Sequence, residues 1–200
     1  TGKAIRIIGS TQDITQQKEI NNELQKLSRI AQETQNGVII TDKNHCIEWV
    51  NNAFERISGY TLTEIKGRKP GDFLQGPETD PVQVGYMRSQ LRKQKSFETE
   101  LINYRKDGTK YWISLQVQPI FDGQGNLQEY FSIQSDISAQ KRADESLKRS
   151  EEQYRFLFDN NPASIFIWNI DDFTFAEVNE TFVHVYGYSR AELATKTIKE

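Results

Sequence analysis

The chain has 200 residues, 25 Lys and Arg against 28 Asp and Glu for a formal charge of -3, and 36% hydrophobic and 11% aromatic residues. That apolar share can build a packed core, whereas the slight acidity excludes a general affinity for nucleic acid, which needs a basic face to neutralise phosphates. A lone thiol, Cys46, excludes an intrachain disulfide and a cysteine-ligated metal cluster, and fits a reducing compartment. The longest apolar runs, such as Gly37-Val38-Ile39-Ile40 and Ser164-Ile165-Phe166-Ile167-Trp168, are strand-sized and far too short to cross a bilayer. A cytoplasmic location without direct membrane contact is therefore expected, although Thr1 does not look like a natural start and the sequence reads as a piece of a longer protein.

In chain order, Val38 to Thr41 reads as a strand, Asp42-Lys43-Asn44 as a turn, and Cys46 to Val50 as the return strand of a hairpin. Asn51 or Asn52 can cap a short helix that Gly59 ends. Thr63-Glu64-Ile65 reads as a second helical turn closed by Gly67. Asp80 caps a longer helix with Val84, Met87, Arg88 and Leu91 at helical spacing. Three strand-like runs follow, Phe97 to Tyr104, Tyr111 to Ile120 and Leu127 to Ile137, with Lys106-Asp107-Gly108-Thr109 and Asp122-Gly123-Gln124-Gly125 as the turns between them. Two strands, short helices and then three strands predict an α+β domain, a five-stranded antiparallel sheet with helices on one face.

Self-comparison divides the chain. Val50-Asn51-Asn52-Ala53-Phe54, with Gly59-Tyr60-Thr61 and Glu64-Ile65, returns at identical internal spacing as Val178-Asn179-Glu180-Thr181-Phe182, with Gly187-Tyr188-Ser189 and Glu192-Leu193. Likewise Gln12-Asp13-Ile14-Thr15-Gln16-Gln17-Lys18 resembles Ser135-Asp136-Ile137-Ser138-Ala139-Gln140-Lys141. The expected organisation is the end of one unit at 1–15, a linker helix at 16–34, a complete unit at 35–138, a connecting helix at 139–155 and the start of another unit at 156–200. Both linkers lack Pro and Gly, and Ile20, Leu24, Leu27, Ala31 and Thr34, like Gln140, Ala143, Leu147, Ser150, Tyr154 and Leu157, step by four and three. Such heptad seams predict a parallel homodimer through coiled-coil linkers; the alternative is an amphipathic helix packed on its own domain.

These residues resemble the PAS family: Asn51-x-x-Phe54 with Gly59-Tyr60, the turn at Asp107-Gly108-Thr109, and the closing Asp136-Ile137-Ser138, in order and repeated. Within it, residues 35–138 resemble the light-oxygen-voltage (LOV) branch, through Phe73-Leu74-Gln75-Gly76-Pro77-Glu78-Thr79-Asp80-Pro81, Asn103-Tyr104-Arg105-Lys106-Asp107-Gly108-Thr109, and Gln134. The resemblance implies a PAS fold and four cofactor contacts should FMN be bound: Asn103 and Gln134 at the polar edge of the isoalloxazine, Gln75 at the ribityl chain and Arg88 at the phosphate. The pattern also departs from the branch. Flavin-binding members place a reactive cysteine two residues before Phe-Leu-Gln, between an asparagine and an arginine, where this chain reads Pro70-Gly71-Asp72. Glycine offers no nucleophile, which excludes the usual cysteinyl adduct. An aspartate in place of the arginine would face the phosphate with like charge, costing on the order of 1 kcal/mol in water and roughly 4 in a half-buried site. A further family asparagine is Ile113 here. These departures weigh against FMN and leave the ligand unknown.

Other candidate residues read as structural. His45 reads as a solvated turn histidine, Cys46 as a small buried hydrophobe, and Trp49 and Trp112 as core. His184 lacks the neighbourhood of a phosphoaccepting histidine. Gly67-Arg68-Lys69-Pro70-Gly71 lacks the Gly-Lys-Ser/Thr of a nucleotide loop and is followed by no expected helix. Metal spacing and catalytic sets are absent from the sequence, so no catalytic residue and no metal ligand are assigned and the chain is expected not to be an enzyme. The resemblance implies a sensory relay module of a multi-domain signalling protein, a sensor histidine kinase in a two-component system, whose partners are adjacent PAS and output domains. A cysteine-less flavin photo- or redox sensor and a ligand-free dimerisation spacer are the alternatives.

Overall fold

The computed structural model describes Lys26 and residues 34–199. The expected linker helix at 16–34 and the end of a preceding unit at 1–15 lie outside the described residues, Lys26 and Thr34 aside. The chain divides into two compact units, Thr1–Ser138 and Ala139–Glu200.

The first unit opens with a hairpin, β1 (Gly37–Asp42) and β2 (Ile47–Val50). The Asp42 carboxylate accepts from the backbone N–H groups of Asn44 at 2.9 Å and Cys46 at 2.7 Å, which closes the turn. Cys46 therefore lies in the turn, half-buried and ahead of the strand, and not in the core as the sequence suggested.

Asn51 leads into α1 (Asn52–Ser58). It is 1% exposed, and its Oδ1 accepts from Phe54 N–H at 2.9 Å and from Val38 N–H at 2.8 Å, so one side chain both caps the helix and ties it to β1. Gly59 ends α1 at φ 77°, a left-handed conformation that glycine adopts without strain. Next come α2 (Leu62–Ile65), with Thr61 and Glu64 in a capping box, and a helical turn α3 (Gly71–Leu74) that the sequence pattern did not show. The expectation that no helix follows Gly67–Gly71 is thus corrected, though four residues make only one turn. Asp80 caps α4 (Pro81–Arg92) by accepting from Val82 N–H at 2.8 Å, with Pro81 at its first position.

Strands β3 (Phe97–Tyr104), β4 (Lys110–Phe121) and β5 (Leu127–Asp136) complete an antiparallel sheet of order β2-β1-β5-β4-β3. Alternation puts Phe97, Thr99, Leu101 and Asn103 on the buried face of β3, and Tyr111, Ile113, Leu115 and Val117 on that of β4. Two core clusters form beneath the helices: Ile39, Ile47, Val50, Phe54, Ile65 and Leu74, and a second around Leu101, Ile113 and Tyr130 to which Ile57, Met87 and Leu91 add. Trp49 and Trp112 belong to neither. Both are half-buried, and Trp112 alternates with the inward Tyr111 and Ile113, so the expectation of core tryptophans is corrected.

The second unit begins with α5 (Ser138–Asp159), whose first residue still belongs to the first unit. It continues with the hairpin β6 (Phe166–Trp168) and β7 (Phe175–Val178), then α6 (Glu180–Tyr186) and α7 (Arg190–Leu193). Among the described residues, no helix is long and apolar enough to cross a membrane.

Candidate ligand site and its junction with the connecting helix

Between the sheet and α4 lies a cavity of about 410 Å³. Strand alternation supplies one wall: Tyr130, Ser132 and Gln134 from β5, with Ile39 and Thr41 of β1 and Leu115 and Val117 of β4 beside them. The opposite wall is Val84, Met87, Arg88 and Leu91, one face of α4. Lys69 to Asp72 and Gln75, around α3, form the rim, and His45 of the hairpin turn closes one end. The size and the mostly apolar wall with few polar groups are those of a small-molecule site.

Two of those polar groups have no hydrogen-bond partner. Gln134 is 3% exposed, yet its Oε1 is unbonded. Burying an amide oxygen without a partner costs about 1–3 kcal/mol, so such atoms are uncommon where nothing is to meet them. The second is Nδ1 of His45. This residue stands at φ 68°, a left-handed conformation that directs its ring inward against Tyr130, with centroids 4.9 Å apart. Burial first and then nearby Lys69 push its pKa below the ordinary value, opposed by Asp42, so the imidazole is neutral near pH 7. The solvated turn histidine expected from sequence is thereby corrected. The hairpin folds His45 onto a residue 85 positions away, and local pattern carries no trace of that contact.

Of the four residues carried over from the LOV resemblance, Gln75, Arg88 and Gln134 line the cavity. Asn103 does not. It is buried on the same sheet face, paired across the ladder with Tyr111, and its side chain reaches toward the Tyr111 hydroxyl. That hydroxyl lacks a hydrogen bond of good geometry, and burial raises its pKa to about 12. Ile113 is fully buried in the core cluster beside it. Pro70, Gly71 and Asp72 all line the rim, and a Cβ on Gly71 would stand 3.2 Å from the Gln75 amide nitrogen.

Just beyond Gln134 the last strand becomes α5 through a dense set of bonds. Asp136 accepts from Arg105 Nη2 at 2.6 Å and from Ser138 N–H at 2.9 Å. Ser138 Oγ accepts from Trp112 N–H at 2.9 Å, and Ile137 N–H donates to Trp112 C=O at 3.0 Å. Arg105 also donates to the Ile57 carbonyl at the end of α1 and lies over the Tyr111 ring at 4.3 Å. Burial would raise the Asp136 pKa, but the bonds from Ser138 and Arg105 outweigh it and hold the carboxyl below its ordinary value. Arg105, which the sequence offered only as part of a family string, is the residue that joins β5, β4 and α1.

A five-stranded antiparallel sheet that covers a ligand-sized cavity with short helices and hands its last strand to a long helix is the architecture of a sensory domain. The chain belongs to the PAS domain family: one PAS domain model matches residues 35–139 and another matches 152–199. The stretch matched at 35–139 is a LOV-like PAS domain. The chain is 36% identical over 130 residues to blue-light-activated histidine kinase 1 of Erythrobacter litoralis, covering 62% of this chain and 36% of the relative. It is 39% identical over 118 residues to a blue-light photoreceptor of Listeria innocua, covering 57% and 46%. It thus spans between about a third and a half of the length of these curated relatives. A solved light-oxygen-voltage domain, studied with a flavin analogue, is similar at TM-score 0.54 and 33% identity over 68% of this chain and 98% of that one.

Proposed function

We propose that residues 35–138 sense a small molecule in the cavity and relay its presence through Gln134 and the Asp136–Ser138 junction to α5. The observation that carries this reading is the unbonded Oε1 of Gln134, buried in the cavity wall two residues before Asp136. A ligand that bonds this oxygen pulls on the strand at the root of α5. It can shift the helix only by as much as its affinity differs between the two helix arrangements. The module has no turnover of its own. It serves a longer cytoplasmic signalling protein, a sensor histidine kinase by likeness to the Erythrobacter relative, whose neighbouring PAS and output domains are its partners. Leu147, Tyr154 and Leu157 of α5 are 62%, 47% and 60% exposed, and that stripe supports a parallel homodimer. An empty spacer would have no use for an unpaired buried amide. The test is the amide and indole resonances of Trp112, which brackets the junction. Gln134→Leu is expected to move the Trp112 amide while leaving β2, which does not pair with β5, unperturbed; an unmoved Trp112 in a folded variant contradicts the relay.

A flavin sensor is the second reading, favoured by the likeness to a domain studied with a flavin analogue and by Gln75, Arg88 and Gln134 at the cavity. The residues present do not fit the whole group. Asn103 is off the wall, Ile113 is apolar and interior, and Asp72 is on the rim. Only one amide is left to read the ring's polar edge. Protein titrated with FMN is expected to show no binding; saturable binding that Gln134→Leu abolishes would establish the flavin reading instead.

A further inference from the structure

The two unbonded polar atoms in the cavity wall, Gln134 Oε1 and His45 Nδ1, stand at opposite ends of it. His45 packs on Tyr130, and Tyr130 and Gln134 are four residues apart on one face of β5, about 13 Å at the usual strand rise. Between them stands Ser132 on β5, with the apolar Leu115 and Val117 of β4 beside it. The two ends differ in electrostatics. Gln134 Oε1 is an acceptor and asks for a donor. Lys69, on the rim, is close enough to depress the basicity of His45, and Arg88 adds a second cation to the lining against the single carboxylate of Asp72. Asp42 is the other charged group acting on His45, and it is already engaged with Asn44 and Cys46. At the His45 end Lys69 is the cation that lines the cavity, opposed by Asp42 behind the turn, and a neutral imidazole with its hydrogen on Nδ1 donates there.

We propose that the cavity takes a flat aromatic acid, its N–H or O–H donor meeting Gln134 Oε1 and its carboxylate meeting His45 Nδ1 and Lys69. The proposal rests on the cavity being the sensing site and names the ligand class for it. His45 is then a binding residue, held inward by its left-handed backbone. A flavin ring, whose far end from the amide edge carries only methyl groups, leaves His45 unbonded.

The probe is 6-hydroxy-2-naphthoate, titrated calorimetrically into the whole chain beside 2-naphthoate, which lacks the donor, and 2-naphthol, which lacks the acid. The hydroxy acid is expected to bind about tenfold tighter than either, the scale of one hydrogen bond involving a charged group. His45→Asn keeps a residue that tolerates the left-handed backbone. It is expected to weaken both acids about tenfold and leave 2-naphthol unchanged. Gln134→Leu is expected to erase the advantage of the hydroxyl and leave 2-naphthoate unchanged. Equal losses for all three probes in His45→Asn, or equal affinity of acid and naphthol for the wild type, would overturn the assignment. Absence of binding by all three, with Trp112 still responding to Gln134→Leu, overturns the ligand class and spares the relay; the predicted binding pattern with an unmoved Trp112 does the reverse.

Discussion

The two hairpin-and-helix segments of this chain are built from the same local instructions and reach different degrees of burial. In each, an asparagine accepts from an N–H in or just before the first strand and from a helix N–H: Asn51 from Val38 and Phe54, Asn179 from Ile165 and Phe182 at 2.9 Å each. Both helices end in a left-handed glycine, Gly59 at φ 77° and Gly187 at φ 76°, and both are followed by a capping box. Yet Ile39 of β1 is 1% exposed, whereas Phe166, Ile167 and Trp168 of β6 are all 38% exposed or more. The difference lies in β3, β4 and β5. They extend the first hairpin into a five-stranded sheet, with β5 bringing Tyr130 and Gln134 beside β1, whereas β6 pairs with β7 alone among the described residues. Capping logic is local, but the core and the cavity are made by strands distant in sequence.

Mutations that strike the shared features should separate the two segments. Phe54→Ala removes a ring of 0% exposure from the six-residue cluster and is expected to cost about 3–5 kcal/mol in the main chemical-denaturation transition. Phe182→Ala, in a cluster of only Val178, Phe182 and Leu193, should leave that transition in place and lower a separate, weaker one. A common shift of one transition by both variants would show that the units unfold together. Next in size, Asn51→Ala uncaps α1 and leaves the buried Val38 N–H unpaired, for about 2–3 kcal/mol in the same measurement. Asn179→Ala should again spare the main transition.

Most of the fold that these variants probe was legible beforehand. The hairpin, the capping asparagine, the ending glycine and Asp80 before Pro81 are signals within a few residues of where they act. Legibility failed where a contact spans the chain. His45 looks like a turn residue until Tyr130 lies beneath it, and Arg105 looks like part of a turn string until Asp136 and the Ile57 carbonyl reach it. Asn103 shows the converse, since a matching residue at a matching position faces Tyr111 and not the cavity.

Smaller effects sharpen the junction. Asp136→Asn is expected to cost about 2 kcal/mol at neutral pH, because it replaces the charge-assisted bond to Arg105. The folded Asp136 pKa is depressed, so its contribution is complete above the unfolded value of about 3.9 and fades as pH falls through the lower folded value. The wild type should therefore lose stability on acidification below about pH 4 more steeply than the variant; parallel acid limbs would contradict the ion pair's role. Smallest in stability is Leu147→Asp with Leu157→Asp, within about 0.5 kcal/mol because both side chains are exposed. Its effect belongs to association. Each leucine buried in a dimer contributes about 1.5–3 kcal/mol against an association cost of roughly 4–15, so the wild type should sediment as a concentration-dependent dimer and the variant as a monomer.

The claim that joins cavity to helix is tested most directly by hydrogen exchange across residues 134–145, comparing wild type with Gln134→Leu at equal global stability. If Gln134 governs the root of α5, protection changes at Ile137 and through the first turns after Ser138 while β2, which does not pair with β5, exchanges as before. Identical protection along α5 in the two proteins would contradict it.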